Sequence, residues 1–265
     1  MKLKSWIAVV LGAASVAVGG HAAAIPVALE LSLVIDISGS INATEYDRQT
    51  DGYAAAFADS TVINGILSYA SSGGVAVNVV QFATDAAQVV SWTRLTTAAE
   101  IASFSTLLGS LSRSGSLGTL TDVQDGMNVG IASFANNGYE GTRLVMDVSG
   151  DGWQNTDNAC SSTPASDCAD VQAARNAAAA ANIRVNGLAI EGDMGTLGVT
   201  TWYSRNVATA GGFVLTAAGF DQFEQAAIRK IGAEITGGDP TVPEPATLAL
   251  LGLGLAGLGF SRRKQ

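Results

Sequence analysis

Leu31-Ser32-Leu33-Val34-Ile35-Asp36-Ile37-Ser38-Gly39-Ser40-Ile41-Asn42-Ala43-Thr44-Glu45 is the stretch whose reading decides the fold. An apolar run, Leu31 to Ile37, ends on a carboxylate and two hydroxyls, Asp36, Ser38 and Ser40. Such a run suits a strand buried on both faces of a sheet. The residues after it open a helix, with Asn42 as N-cap and Glu45 completing a capping box. Strand, short loop and helix together place Asp36, Ser38 and Ser40 at the carboxyl end of a strand, where open α/β sheets bind ligands. Three hard oxygens aimed at one point suit a cation such as Mg²⁺.

The same alternation continues outward. Strands are predicted at Ala28–Ile37, Val75–Phe82, Ala87–Trp92, Arg143–Ser149, Ile183–Ile190 and Gly212–Thr216. Helices are predicted at Ala43–Ser60, Val62–Tyr69, Thr97–Leu111, Asp122–Ala135, Ala169–Ala181, Thr201–Ala208 and Phe220–Ile235. Only the pair Val75–Phe82 and Ala87–Trp92 is too close for a helical crossover, so it reads as an antiparallel hairpin. The expected fold is α/β: a doubly wound, mainly parallel six-stranded sheet with one antiparallel edge strand and helices on both faces.

Both ends of the chain read as removable. Lys2 and Lys4, the apolar stretch Trp6–Val18 and Ala22-Ala23-Ala24 compose a signal peptide over residues 1–24. Residues 25–236 form the domain and 237–245 a Gly/Pro linker. Residues 246–260 form a short transmembrane candidate, followed by Arg262-Arg263-Lys264, which the positive-inside rule keeps cytoplasmic. Five of the 14 basic residues lie in these ends, leaving nine against 23 acidic residues, a net charge of −14 for the body. Such a body repels phosphate backbones and excludes nucleic acid as a partner. The single histidine, His21, leaves with the signal peptide, so a Ser-His-Asp triad and a His-ligated metal site are both excluded. Cys160 and Cys168 lie eight apart in a polar loop of an exported chain, where a disulfide is the default; a Cys₂ zinc site completed by Asp167 or Asp170 is the alternative.

Three loops at the carboxyl edge carry oxygen ligands: Asp36, Ser38 and Ser40 in the first, Thr119 and Thr121 in the second, and Asp151, after Arg143–Ser149, in the third. This pattern resembles the von Willebrand factor A domain and its metal-ion-dependent adhesion site (MIDAS). That family's threonine sits five residues before a small residue and six before an aliphatic one. Thr121 fits, with Gly126 and Met127, and Thr119 is the reserve. Glu45-Tyr46, Gln49, Gly52-Tyr53, Asp147-Val148-Ser149-Gly150-Asp151-Gly152, Asn186-Gly187-Leu188 and Ala227-Ile228-Arg229-Lys230 resemble a bacterial branch of that superfamily of unknown function, over roughly residues 28–236. The resemblance implies Mg²⁺ or Mn²⁺ as cofactor, with Ca²⁺ as a further option. Ser38, Ser40 and Thr121 would be direct ligands, and Asp36 and Asp151 would act mostly through bound water. An open coordination position would take a carboxylate from a protein or an acidic polysaccharide.

Val242-Pro243-Glu244-Pro245, the apolar run and Arg262-Arg263 resemble the PEP-CTERM sorting signal, over residues 242–265. That resemblance implies processing by an exosortase, transient residence in the inner membrane of a Gram-negative bacterium, and release to the cell surface or matrix. The expected function is divalent-metal-dependent binding or adhesion outside the cytoplasm. The alternatives are a structural matrix protein whose metal only stabilises the fold, and a metal-assisted hydrolase. Against catalysis stand the missing histidine, Lys230 as the only lysine of the body, and a Ser/Gly loop, Ser112–Thr121, without the lysine of a P-loop.

Overall fold

The computed structural model describes residues 23–156, 160, 163, 165–192, 198–238 and 240. The strands are β1 (Ile25–Asp36), β2 (Val75–Phe82), β3 (Ala86–Leu95), β4 (Tyr139–Gly150), β5 (Ile183–Ile190) and β6 (Val214–Ala217). The helices are α1 (Ala43–Ala58), α2 (Ser60–Ser68), α3 (Ala98–Gly109), α4 (Val123–Ser133), α5 (Ala169–Ala180), α6 (Gly198–Asn206) and α7 (Phe223–Thr236). They form one six-stranded sheet in the order β3-β2-β1-β4-β5-β6. Only β3 runs antiparallel, as a hairpin partner of β2 at the edge. The expected fold class is therefore the observed one.

β1 is central, flanked by β2 and β4, and its last ten residues are all buried. Its side chains divide with the period of two that a strand imposes. Leu29, Leu31, Leu33 and Ile35 join the core under α1, α2, α3 and α7, while Val34 joins the core under α4, α5 and α6. Winding reverses at β1, so the loops leaving β1 and β4 diverge above a crevice, the switch point of the sheet.

Local chemistry sets the helix starts. Asn42 and Glu45 form the expected capping box on α1. Asp59 interrupts what the sequence suggests is a helix to Ser60, because its carboxylate accepts the Thr61 N–H and starts α2. Thr97 with Glu100 caps α3, and Asp122 caps α4. α1 lies close on α7: a Cβ at Gly52 would come within 2.5 Å of the Phe223 ring, so only glycine allows this approach.

One polar group crosses the α7 side of the core. Lys230, fully buried on α7, places Nζ 2.7 Å from Asp147 Oδ1 of β4 and donates to Glu234 Oε1 at 2.6 Å. Asn186 of β5 donates to the same Glu234 oxygen at 2.9 Å. Removing one partner of such a buried set typically costs ~3–5 kcal/mol, because it strands the others.

Among the described residues no helix is long and apolar enough to cross a membrane. The predicted signal peptide and span 246–260, with Pro243, Glu244, Pro245, Arg262 and Arg263, lie outside the described residues, apart from Ala23 and Ala24.

Candidate metal centre

The first loop is built around Asp36. Its side chain folds back so that Oδ1 accepts the Ser38 N–H at 2.7 Å, a turn that short acidic side chains favour. Asp36 and Ser38 are both fully buried. Ser38 Oγ lies 3.1 Å from Ser40 Oγ, and the Ser40 hydroxyl donates to Asp151 Oδ1 at 2.7 Å. That last bond joins residues 111 apart in sequence and closes the β1 loop onto the β4 loop.

The second loop is stitched to both neighbours. The Gly39 N–H donates to the Thr119 carbonyl at 2.8 Å. The Asn155 side chain accepts the Thr121 N–H at 2.8 Å, and the Asn155 N–H donates back to the Thr121 carbonyl at 2.9 Å. Thr84 Oγ1 accepts from the Thr119 and Leu120 N–H groups. Thr121 is buried and Thr119 exposed. Ser40, Thr121 and Asp151 line one cleft of about 480 Å³, with Glu45 and Trp153 on its wall; Asp36 and Ser38 are buried.

The electrostatics of this corner are unbalanced. Burial, and then the neighbouring Asp151 charge, push the Asp36 carboxyl up to about 7, against the opposing pull of the Ser38 hydrogen bonds and Arg113. Asp151 is pushed up by burial and by Glu45, while its bond from Ser40 opposes. Asp36 Oδ2 is fully buried and makes no hydrogen bond to protein. The donor set is all oxygen, with the Asp151 charge close enough to raise Asp36 and one carboxylate oxygen unpartnered. Those residues fit a hard divalent cation, whose charge would reverse both shifts. Among the described residues no group of three or more Cys, His, Asp or Glu is arranged for a metal.

Two further residues shape the site, and neither was identified from sequence. Arg113 donates to the carbonyls of Ile37, Ser38 (2.6 Å) and Ile41 (2.7 Å), so one guanidinium clamps the whole first loop. Its signal was a lone cation inside the Ser/Gly loop Ser112–Leu120. Tyr203 of α6 approaches from below. A Cβ built on Gly150 would meet the Tyr203 hydroxyl at 2.4 Å and Asp36 Oδ2 at 2.7 Å, so both polar atoms converge on that glycine. Nothing in the local sequence marks Tyr203, because it reaches Asp36 only through packing.

Asp147 faces the α7 side of the core, away from the cleft, and pairs with Lys230. Cys160 and Cys168 form a disulfide with Cα atoms 4.4 Å apart, which ties the loop after Asp151 to the start of α5. Neither sulfur is left for the alternative zinc site.

A family model described as "Protein of unknown function (DUF1194)" matches residues 26–239, and the PEP-CTERM protein-sorting motif matches residues 241–264. No curated protein matches the chain in sequence. Proximal thread matrix protein 1 from the mussel byssus is similar in structure, with TM-score 0.55, 16% identity, and coverage of 81% of this chain and 48% of that one. A form of the same protein with a zinc-occupied MIDAS motif matches at TM-score 0.52 and 14% identity, covering 81% and 47%. The pilus adhesin SpaC from Lactobacillus rhamnosus GG matches at TM-score 0.53 and 15% identity, covering 78% and 30%. A von Willebrand factor type A protein from Catenulispora acidiphila matches at TM-score 0.52 and 13% identity, covering 79% and 43%. The chain thus spans about half or less of the length of these structures, and at such identities the likeness shows the fold.

Proposed function

This chain belongs to the DUF1194 family and ends in a PEP-CTERM sorting motif, and from that footing we propose that it is an exported binding protein that grips its ligand through a divalent cation. The motif makes it a substrate of exosortase sorting, with the fold of a von Willebrand factor A domain. The observation that carries the reading is the chain of oxygens Ser38–Ser40–Asp151 beside the buried, unpartnered Asp36 Oδ2.

In this reading Ser38, Ser40 and Thr121 hold Mg²⁺ or Mn²⁺ directly, while Asp36 and Asp151 act through water and keep the hydroxyls aimed. A cation with few direct carboxylates keeps its appetite for one more, so the ligand is a carboxylate from a protein or an acidic polysaccharide. Arg113 holds the loop from behind without touching the ion. The bound metal supplies Lewis acidity for gripping an anion; the chain's residues orient it and limit its solvent. The remaining polar groups argue for binding over catalysis: Lys230 is enclosed by Asp147 and Glu234, and both cysteines are oxidised. The fold likeness to a matrix protein and a pilus adhesin is compatible with a surface or matrix role.

Isothermal titration with Mg²⁺ and Mn²⁺ tests the site. One ion should bind per chain, and the affinity should rise as pH passes through about 7, because the proton on Asp36 competes with the metal. Asp36→Ala and Ser38→Ala should each abolish binding while circular dichroism stays unchanged. Unchanged affinity in both variants would refute the assignment.

A further inference from the structure

We propose that the metal cleft takes an acidic polysaccharide with carboxylates on successive sugar units, one going to the cation and a second to Arg48. The inference rests on the metal reading above and adds the class of ligand.

Among the described residues lining the cleft, Arg48, one turn into α1 beyond Glu45, is the one cation, and the other charges are Glu45, Asp151 and Asp221. Its guanidinium pairs with Asp221, just before α7, but the two side chains are 48% and 76% exposed. An ion pair so open to solvent is weak and readily exchanged. A guanidinium takes an incoming carboxylate through two parallel N–H bonds, so Arg48 can trade Asp221 for a ligand anion at little loss. Cation and Arg48 together offer two anion positions in one cleft, local attractions that act against the repulsion of the acidic domain as a whole. A ligand that repeats its carboxylates satisfies both.

The wall between them suits a ring rather than a peptide. Trp153, half-buried, supplies aromatic surface, with the edge of the buried Phe220 behind it, while Gly152, Gly192 and Gly219 leave side-chain-free stretches that a flat ring can approach. A sugar has an apolar C–H face to lay on an indole and hydroxyls for polar neighbours. The Asn155 amide, whose oxygen is spent on Thr121, keeps its N–H₂ group as a donor. The volume, about 480 Å³, lies in the range of clefts that enclose a ligand chain of few units. A protein partner would want a broad surface with an apolar centre. Among the described residues the large apolar side chains that stand exposed are Ile25, Val89, Leu107 and Leu120, and only Leu120 adjoins the metal loops.

The test uses the full-length chain in detergent with saturating Mn²⁺, and three probes: uronate oligomers of several linkages, a neutral glucose oligomer and a polyglutamate peptide. Mn²⁺ binding is followed separately by electron paramagnetic resonance. The uronate oligomers should bind, the neutral oligomer should not, and EDTA should abolish binding. Arg48→Gln and Trp153→Ala should each weaken uronate binding roughly tenfold, leaving the Mn²⁺ signal unchanged. Polyglutamate binding as tight as uronate, or insensitivity to both substitutions, overturns the proposal. So does failure of every uronate while Mn²⁺ is bound, and in that case the metal reading stands. Absence of Mn²⁺ binding brings down both together.

Discussion

Gly150 is where the site is most sensitive to a single atom. Its Cα faces the Tyr203 hydroxyl and Asp36 Oδ2, and a methyl group there would stand 2.4 and 2.7 Å from them. Both neighbours are fully buried, so neither can swing into solvent. Gly150→Ala should therefore cost about 1–3 kcal/mol in urea unfolding and weaken Mn²⁺ binding, since Asp36 is the group displaced. A Tyr203→Phe background, which removes the nearer oxygen, should recover part of the stability; no recovery would mean that the clash lies elsewhere. At this scale the candidate ligands were nameable from sequence, because Asp36, Ser38, Ser40 and Asp151 follow strand ends and Thr121 stands just before a helix start. Arg113 and Tyr203 were not, because their roles depend on three carbonyls and a glycine distant in sequence.

The element that carries the most unusual chemistry is α7, through its buried Lys230 and Glu234. Glu234 is pushed up to about 7, first by burial and then by the Asp147 charge, with Lys230 opposing. The folded state thus holds this proton more tightly than the unfolded chain, whose carboxyl titrates near 4.5. Its contribution to stability is complete below about pH 4.5 and is lost as pH rises through about 7. Unfolding free energy measured in EDTA should fall across that window. Glu234→Gln should lessen the fall, leaving the share that the raised Asp36 carboxyl contributes in EDTA, and an equally steep profile in the variant would assign the proton to another group. Helix bounds on α7 and α1 were legible to within a few residues from periodicity and capping. The α1–α2 break at Asp59 was foreseen only as two helices in a row, since its N-cap bond to Thr61 competes with continuation of the first helix.

For the whole molecule, cation and disulfide should act as two separable staples. The β1 and β4 loops carry like charges, Asp36 and Asp151, with Glu45 of α1 beside them, so loading Mg²⁺ should raise the melting temperature and EDTA should lower it without unfolding the domain. The Cys160–Cys168 bridge closes a short loop, worth roughly 2–3 kcal/mol by chain entropy. A Cys160→Ser/Cys168→Ser variant should lose that amount in thermal unfolding yet keep Mn²⁺ binding. Loss of metal binding as well would mean that the bridge positions Asp151. The mainly parallel sheet and its edge hairpin followed from the alternation of strand and helix patterns and from the short gap between Phe82 and Ala87, whereas the order β3-β2-β1-β4-β5-β6 came from the structure.

Sequence alone determined the sheet, its direction and the three loops that bring oxygen to its carboxyl edge. Those properties are local: period, caps and turn residues act over a few neighbours. The PEP-CTERM motif, legible as a three-part pattern near the end of the chain, implies export. Tertiary structure decided which of these oxygens meet. It put Thr121 in the cleft and left Thr119 outside, turned Asp147 toward Lys230 and away from the cleft, and brought Arg113, Tyr203 and Arg48 to the candidate site. Those outcomes depend on register between strands and on packing of helices over the sheet, where one residue's direction is set by partners a hundred or more positions away.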